Sequence, residues 1–459
     1  MRDETDTIAA RATPPGEGAI AILRISGPRS HAIIRKCFKP HSPQDIKYNI
    51  LTLGGFIDPE DGTLIDEVLC VQFQKPHSYT GEDGAEIQCH GSPAIITRGL
   101  AVLCRLGARP AGPGEFSRRA FLNGKMDLTR AEAVCDLIRS RTDRAARLAL
   151  RQIRGGLFEK IKCVKEIILS VGAEIEARLD FPEEMIDPTQ GDDYLKNLNK
   201  AGGELERLIR QGSRAQIFRQ GARVSLLGKP NTGKSSLFND LLKMERAIVT
   251  PHPGTTRDFI EGTVDLEGCP VTYVDTAGMR KSESEVELLG IEKAKSEISQ
   301  ADLVLFLIDA SSPLDEEDKT ISQYLGETPF ILVVNKTDLP EKVNSEELTP
   351  IRKAAVASVM ISALTNEGVD ALETRIVKAL LSSTPFDEDA VVTNQRHLDL
   401  LDRALSALRT VRQGFDRDLP GELLMIDIRE ALHFLDRITG EEITEDILDH
   451  IFKKFCIGK

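Results

Sequence analysis

The sequence lacks the features that mark secreted, disulfide-bonded and membrane-spanning proteins. Its eight cysteines are scattered and include no C-x-x-C pair, which argues against a zinc site or a disulfide framework. No segment approaches the ~20 consecutive apolar residues that a membrane span requires. The N-terminus is acidic and carries no apolar signal core, so we expect a cytoplasmic protein.

Positive net charge is also missing. The 459 residues include 59 lysines and arginines against 72 acids, and the net charge of −13 argues against non-specific coating of nucleic acid. A local basic patch would still be compatible with that total. The length suggests about three domains, and 41% hydrophobic residues are ample for globular cores.

One glycine-rich stretch organises what is present. Residues 228–236 read GKPNTGKSS, between an apolar run at 224–227 and an amphipathic segment at 237–242. A strand, a glycine-rich turn and a helix in this order predict a phosphate-binding loop. Glycines let the backbone approach phosphates closely, and the helix N-terminus adds positive potential. Lys234 would reach the β- and γ-phosphates, and the Ser235 hydroxyl would bind Mg²⁺.

Four further motifs follow in the order that a GTPase requires. Residues 249–258 (VTPHPGTTRD) would close over Mg²⁺ and the γ-phosphate, and residues 275–278 (DTAG) supply a metal-side acid and a glycine. Residues 335–338 (NKTD) end in a carboxylate that would accept from guanine N1–H and the exocyclic amine. Residues 362–364 (SAL) come last. Apolar runs predict buried strands at residues 271–274, 303–308, 330–334 and 356–361. Together these predict an α/β P-loop GTPase domain of the Ras-like type.

Two details leave the type of GTPase open. Met279 stands where Ras-type switches carry the glutamine that orients water, and a thioether cannot perform that task, so another group must do so. Asn231 lies in the phosphate loop itself. It is either a ligand for a monovalent cation or an ordinary loop-capping asparagine.

The rest of the sequence predicts an α+β region followed by helices. Strands are expected at 19–25, 49–56, 63–73 and 86–90, with the second and third antiparallel. A helix is expected to run to residue 106 with Ser92 as its N-cap, and residues 107–114 are expected to form a loop. Apolar spacing predicts helices at 128–138, 157–179, 194–209 and from 394 onward, including 447–455. The predicted segments are an α+β domain at 1–123, a helical domain at 124–217, an inserted GTPase domain at 218–382, and the second helical part at 383–459.

Four arginines share one side of a predicted helix. Arg144, Arg147, Arg151 and Arg154 are spaced at i, i+3, i+7 and i+10. This spacing is typical of a solvated helix face. An alternative is a contact with an RNA backbone.

Motifs outside the GTPase segment carry a resemblance to a known family. They read ATPPG at 12–16, LRISG at 23–27, YTGED at 79–83, GEFSRRAFLNGK at 114–125 and CIGK at 456–459. Over its whole length the chain resembles the MnmE (TrmE) family of tRNA-modification GTPases. The resemblance implies GTP hydrolysis and, with a flavin-dependent GidA-type partner, addition of a C5 aminomethyl-type group to the wobble uridine of certain tRNAs. It also implies a homodimer formed through the N-terminal domain.

The resemblance also assigns site residues. It implies that the N-terminal domain binds 5-formyl-tetrahydrofolate or a related folate through Arg24, Glu82, Lys125 and Lys459. Arg and Lys suit a glutamate-tailed anion, and a carboxylate suits the donor edge of a pterin. The tail 456–459 would belong to this site, with Cys456 as a candidate catalytic thiol, unless it is only a frayed end.

In the GTPase domain the resemblance implies two cations and a catalytic acid. Mg²⁺ would be held by Ser235 and Thr256, and K⁺ by Asn231, Thr250, His252 and Thr255. Glu287 would orient water beside the catalytic Lys234. The residues expected to bind nucleotide are Asn231, Thr232, Gly233, Lys234, Ser235, Ser236, Thr250, Pro251, His252, Pro253, Gly254, Thr255, Thr256, Asp275, Thr276, Ala277, Gly278, Asn335, Lys336, Asp338, Ser362, Ala363 and Leu364.

Two other function classes compete with this interpretation. One is an Era-type ribosome-assembly GTPase, and the other is a signalling switch that acts only by binding partners. The lack of a KH-type G-x-x-G signature and the presence of residues 456–459 argue against the Era type.

Overall fold

A computed structural model describes residues 6–42, 46–180, 191–243, 260–275, 297–381 and 391–459. The strands in these ranges are β1 Ile8–Arg11, β2 Gly18–Ser26, β3 Phe38–Pro40, β4 Thr52–Ile57, β5 Leu64–Phe73, β6 Gly84–Gly91, β7 Arg109–Pro110, β8 Ala222–Leu227, β9 Ile260–Leu266, β10 Cys269–Asp275, β11 Leu303–Asp309, β12 Phe330–Asn335 and β13 Ala357–Met360. The helices are α1 Ser30–Cys37, α2 Pro93–Arg105, α3 Glu115–Leu122, α4 Leu128–Arg139, α5 Asp143–Ile153, α6 Gly156–Asp180, α7 Gly191–Gln220, α8 Lys234–Lys243, α9 Glu316–Tyr324, α10 Ser345–Ala354, α11 Val369–Leu381, α12 Gln395–Asp416, α13 Gly421–Thr439 and α14 Glu445–Phe452.

The chain divides into two compact units that alternate along the sequence. The first contains Met1–Cys135, Gln152–Leu198 and Ser406–Lys459, and the second contains Asp136–Arg151 and Asn199–Leu405. The sheets of the two units are separate. The four predicted domain boundaries stay a prediction. None of the described helices has the length and apolarity needed to cross a membrane.

The first unit contains a seven-stranded sheet in the order β3-β4-β5-β6-β2-β1-β7. Alternating residues of the central strands, such as Leu23, Ile25 and Ile87, are buried against α1 and α2. The four predicted strands and the antiparallel pairing of β4 with β5 are confirmed. Helix α2 follows Ser92 as predicted, but the Ser92 side chain makes no capping hydrogen bond. Pro93, at the first turn, lacks the N–H that would otherwise need a partner.

The prediction of a loop at residues 107–114 was incomplete. Within it, β7 pairs in parallel with β1: the Arg109 N–H donates to Thr7 O at 2.8 Å, and the Ala111 N–H donates to Ala9 O at 2.9 Å. Pro110, which has no N–H, therefore occupies the position between the two donors, where none is needed. Proline and glycine content alone predicted a loop because it does not reveal that alternation.

Helices from distant parts of the chain pack together in the rest of the first unit. Helix α13 lies along α6, and a Cβ at Gly172 would lie 3.4 Å from Ile428. The helix expected at 447–455 ends earlier, at Phe452. Phe455 nevertheless remains buried beside Phe452, with ring centroids 5.0 Å apart, so the residues after the helix are held by packing.

The second unit contains a six-stranded sheet in the order β13-β12-β11-β8-β10-β9. All neighbouring strands are parallel except β9 and β10. Parallel strands need cover on both faces, and two apolar clusters supply it, one with α8 and α11 and the other with α9 and α10. The predicted strands before the GTPase motifs are confirmed. Helix α7 is longer than predicted and ends just before β8.

The arginine face proposed on α5 is not uniformly solvated. The Arg144 guanidinium lies 4.0 Å from the centroid of the Phe218 ring and donates to Glu267 O at 3.3 Å. Arg147 is exposed and pairs with Asp143. Arg154 lies one residue beyond the helix end. The four side chains therefore do not form one free basic surface.

Candidate nucleotide-binding and anion-binding sites

The phosphate loop connects β8 to α8, and two of its glycines are required by close approach. Gly228 has φ 151°, and a Cβ there would lie 2.4 Å from Leu307 O. Gly233 has φ 93°, and a Cβ there would lie 2.2 Å from Asn335 Nδ2. Both contacts are shorter than any side chain tolerates, so the loop keeps this path only with glycine at both positions.

Lys234 and Ser235 begin α8 and point toward the loop and the sheet. Lys234 is 5% exposed, and its Nζ donates to Gly228 O at 2.7 Å and to Lys229 O at 2.5 Å. Ser235 Oγ donates to Asp275 Oδ2 at 2.8 Å. A buried ammonium at the loop and a hydroxyl beside a buried carboxylate fit the phosphates and Mg²⁺ expected here.

The other phosphate-loop residues divide into structural and exposed groups. The buried Thr232 hydroxyl donates to Lys229 O at 2.9 Å and tightens the turn. Asn231 is exposed in a left-handed conformation, with φ 63°, and Ser236 is exposed on α8. An exposed carboxamide at the corner of the loop is compatible with a cation ligand, because nothing in its burial assigns it to packing.

Lys229 makes a contact that the sequence analysis missed. Its Nζ donates to Asp315 Oδ2 and Asp318 Oδ2, both at 2.7 Å, at the start of α9. Burial alone would lower the pKa of Lys229, but the hydrogen bonds to the two carboxylates outweigh it and raise the pKa. The acid-rich run 315–318 predicts a helix N-terminus, yet no spacing rule pairs it with residue 229.

The base-binding motifs are linked to the phosphate loop by one carboxamide. Asn335 is 1% exposed; its Nδ2 donates to Thr232 O at 2.8 Å and its Oδ1 accepts from the Ala363 N–H at 3.0 Å. Ser362 Oγ donates to Asp338 Oδ1 at 2.6 Å, which orients an exposed carboxylate. Lys336 has φ 68° and pairs with Asp309 at 2.6 Å. Leu364 is 84% exposed.

Part of the predicted site lies outside the described residues. These positions are Thr250, Pro251, His252, Pro253, Gly254, Thr255, Thr256, Thr276, Ala277, Gly278, Met279 and Glu287.

A second candidate site lies in the first unit, at a cavity of about 310 Å³ whose lining includes Arg24, Tyr79 and Phe116. Arg24 Nε donates to Glu86 Oε1 at 2.8 Å, and the guanidinium carbon lies 5.6 Å from the centroid of the Tyr79 ring. It lies 5.7 Å from that of Phe116. A cation beside aromatic rings and a single carboxylate suits a planar ligand with a negative group.

The last residues of the chain dock against this cavity. The Arg24 Nη1 donates to Gly458 O at 3.2 Å, and the Gly114 N–H donates to Cys456 O at 3.2 Å. Gly458 has φ 95°, and a Cβ there would lie 2.1 Å from Arg11 O. The tail is therefore held by specific contacts and is not frayed. The Cys456 thiol is exposed.

Lys459 extends over the wall of the cavity. Its Nζ lies 5.9 Å from the centroid of the Tyr79 ring. Burial and then the neighbouring Arg24 charge lower the pKa of its ammonium below the usual range. No carboxylate in the described ranges forms an ion pair with it. Two adjacent cations with one paired carboxylate, Glu86, leave this end of the cavity suited to an anion.

The other two expected folate contacts do not line the cavity. Glu82 lies behind it, where its carboxylate accepts from Ser26 Oγ at 2.6 Å and from Arg119 Nη1 at 3.2 Å. Lys125 Nζ donates to Pro76 O at 3.1 Å. Sequence reasoning missed Arg119, which is buried and also pairs with Glu115. Its only signal was its place in the 114–125 motif.

The phosphate loop between a parallel strand and a helix, the acid that ends β10 and the Asn-Lys-x-Asp motif after β12 define a P-loop GTPase. The family description "GTP-binding protein TrmE N-terminus" matches residues 7–125, and "MnmE helical domain" matches residues 128–456. The chain belongs to the MnmE family of tRNA modification GTPases.

Similar proteins match along the whole chain. The tRNA modification GTPase MnmE of Natranaerobius thermophilus is 42% identical over 457 residues, 99% of both chains. That of Carboxydothermus hydrogenoformans is 42% identical over 459 residues, again 99% of both. A crystal structure of an Aquifex aeolicus Era variant bound to GDP.AlF4- aligns with 40% of this chain and 66% of its own, at 30% identity and a TM-score of 0.28. That last likeness carries no argument about the fold or the function.

Proposed function

We propose that this protein hydrolyses GTP in order to drive modification of the wobble uridine of tRNA at C5, in the cytoplasm and together with a flavin-dependent GidA-type partner. The observation that supports this most directly is a cavity suited to an anion, bordered by Arg24 and Lys459, on the same chain as a P-loop GTPase. A GTPase without group-transfer chemistry has no need for such a cavity.

Loss of the gene tests this proposal. The tRNA of the deletion strain should lack a C5-modified wobble uridine, while its ribosome profile stays normal. Mass spectrometry of tRNA nucleosides and sucrose-gradient profiles measure the two. Intact modification with a disturbed ribosome profile would contradict the proposal and favour an Era-type assembly factor.

We propose that K⁺ activates hydrolysis. Asn231, exposed at the corner of the phosphate loop, would bind the ion together with Thr250, His252 and Thr255. Bound there, K⁺ supplies positive charge at the β- and γ-phosphates. Ser235 and Thr256 would hold Mg²⁺, and Glu287 would orient the attacking water while Lys234 neutralises phosphate charge.

Salt exchange tests the K⁺ site. GTP turnover should rise steeply when K⁺ replaces Na⁺, because Na⁺ is too small for the same ligands. Asn231→Ala should lose most of this response while its nucleotide affinity stays within about tenfold. Asn366→Ala is the matched control, since Asn366 has a similar left-handed backbone, with φ 62° against 63°, outside the phosphate loop. Equal turnover in the two salts would contradict the K⁺ mechanism.

We propose that the cavity binds 5-formyl-tetrahydrofolate or a related folate. Arg24 and Lys459 would take the negative tail, while Tyr79 and Phe116 offer faces for a planar ring. Glu82 would face the donor edge of the pterin and Lys125 would add charge, after a movement that frees Glu82 from Ser26 and Arg119.

Deletion of the tail tests its part in that site. A chain without residues 456–459 should lose tRNA modification while K⁺-stimulated GTP turnover stays close to wild type. Cys456→Ser would separate thiol chemistry from shape, and Cys163→Ser, at another exposed cysteine, is its control. Normal modification by the truncated chain would exclude the tail from the site.

We propose that the protein is a homodimer formed through the first unit. Leu53 and Leu69 face each other across β4 and β5, and they are 52% and 37% exposed. Ile20 and Leu64 are 64% and 54% exposed. Exposed apolar residues grouped on a sheet are typical of an interface. The double variant Leu53→Lys, Leu69→Lys should sediment as a monomer, whereas Leu169→Lys, at an exposed leucine of α6, should stay dimeric. An unchanged dimer would exclude this face.

A further inference from the structure

Helix α7 contains two adjacent glycines that its packing does not require. A Cβ at Gly202 would lie 3.8 Å from Leu405, an ordinary contact, and a Cβ at Gly203 would meet nothing within 4 Å. Glycine inside a helix is less stable than alanine because it loses more backbone freedom on folding. At Gly203 the absent side chain therefore points to something that approaches the helix from outside.

Gly203 lies within a row of basic residues. Lys200, Gly203, Arg207, Arg210 and Arg214 are all exposed. At 100° per residue they fall within about 80° of arc, along about 21 Å of the helix axis. Buried residues of α7, including Ala201, Leu205, Leu208 and Ala215, lie on the opposite side. We call these five exposed positions the Gly203 face.

Most of the cations on the Gly203 face have no protein partner. Arg207 pairs with Glu204 through two hydrogen bonds, at 2.6 and 3.0 Å. Within the described parts of the chain, no hydrogen bond or ion pair engages Lys200, Arg210 or Arg214. In a chain with a net charge of −13, a row of cations of this kind departs from the average surface. A face kept only for solubility would carry alternating acids as partners.

We propose that the Gly203 face binds the phosphate backbone of tRNA. Guanidinium groups match phosphate oxygens in pairs, and lysine adds a flexible point charge. The open position at Gly203, between Lys200 and Arg207, lets a bulky polyanion reach the helix without a steric barrier. None of the five positions is aromatic, so the face would position RNA without reading its bases. This inference rests on the proposed action on tRNA.

Charge removal tests the proposal. In the full-length protein, the triple variant Lys200→Gln, Arg210→Gln, Arg214→Gln should bind unmodified tRNA at least about tenfold more weakly near 0.1 M KCl. Its plot of log affinity against log KCl should be less steep by about 2 to 3, one part for each lost contact. Fluorescence anisotropy with labelled tRNA over a series of KCl concentrations measures both.

The matched control removes the same charge elsewhere in the second unit. Arg352→Gln, Lys353→Gln, Arg375→Gln changes three exposed basic residues of α10 and α11. It should keep tRNA affinity within about twofold and leave the salt slope unchanged. GTP turnover without tRNA should be the same in both triple variants and the wild type.

A second pair of variants tests the open position directly. Gly203→Glu places a negative side chain between Lys200 and Arg207 without a clash, so tRNA affinity should fall by about tenfold. Gly203→Ala should raise the unfolding temperature and change affinity by less than about threefold, since its methyl group is small. Equal binding by the two variants would contradict a role for this position.

The outcomes separate this inference from the proposed function. A wild-type protein that binds no tRNA in these assays would contradict the proposed function itself. A triple variant that binds tRNA with wild-type affinity and slope would overturn only the Gly203 face. A variant that keeps tRNA binding but loses a protein partner would also overturn it, because the face would then belong to that partner.

Discussion

The phosphate loop and the tail cavity are both suited to anions, but they are built in opposite ways. In the phosphate loop, Lys234 bonds to carbonyls five and six residues away, at Lys229 and Gly228. In the tail cavity, Arg24 bonds to Gly458, which is 434 positions away. The first site is local to one turn of chain, and the second exists only after the whole first unit has folded.

The two sites also differ in how their cations are satisfied. The Lys234 ammonium has two carbonyl partners that phosphate can replace. The Lys459 ammonium has a lowered pKa, and Tyr79 is its nearest reported contact. A local motif can therefore be satisfied before its ligand arrives, whereas the assembled cavity holds a cation that an anion would stabilise. Variants can test whether the two sites are independent.

The largest effect is expected from Asp338→Asn. Its carboxylate would accept two hydrogen bonds from guanine, and an amide cannot accept both. The preference for GTP over xanthosine triphosphate should fall by about 1000-fold, because a site built for hydrogen bonds rejects a mismatched base strongly. Competition binding measures the ratio. Ser362→Ala, which removes only the orienting hydroxyl, should change it by less than about tenfold. An unchanged ratio would show that Asp338 does not read the base.

Lys234→Ala should weaken GTP binding by about 100-fold, as expected when a charge-assisted contact to phosphate is lost. Folate binding should not change if the two sites are independent. Fluorescent nucleotide titration and calorimetry with 5-formyl-tetrahydrofolate measure the two affinities. Lys378→Ala, at an exposed lysine of α11, serves as the control. A parallel loss of folate affinity would remove the distinction between the sites.

Gly458→Ala should displace the tail, because a Cβ there meets Arg11 O at 2.1 Å. Folate affinity should fall by about tenfold, which corresponds to about one lost charged contact. Gly62→Ala is the matched control: Gly62 also has a positive φ, 72°, but nothing lies within 4 Å of the added Cβ. Equal losses in both variants would assign the effect to general backbone strain.

The smallest effect concerns pH. Since burial and Arg24 lower the pKa of Lys459 below its model value of 10.5, its charge is complete only below the lowered pKa. Folate affinity should therefore fall by a few fold as pH rises through that pKa, and bound folate should raise the pKa again. Lys459→Arg should move the decline to higher pH. Calorimetry over a pH series measures it, and identical profiles for the two proteins would exclude Lys459 as the titrating contact.

The same contrast explains what could be predicted from the sequence. The apolar run at 330–334 and the phosphate-loop spelling are local, and both appear in the structure where predicted. The pairing of β7 with β1 and the clamp of Lys229 on Asp318 depend on residues far apart, and no periodicity reveals them. Arg24 and Lys459 were expected together only through family resemblance. On their own, each is a charged residue of the kind that usually lies at the surface.

The Asn335 carboxamide has a thermodynamic consequence. Because it bonds to Thr232 on one side and Ala363 on the other, a shift of the base loop changes the phosphate loop through a single rigid group. Guanine and triphosphate should therefore bind with positive cooperativity, so that guanosine or inorganic triphosphate alone recovers less than its share of the GTP affinity. Asn335→Ala should reduce this coupling, and each fragment would then contribute nearly independently to the binding free energy.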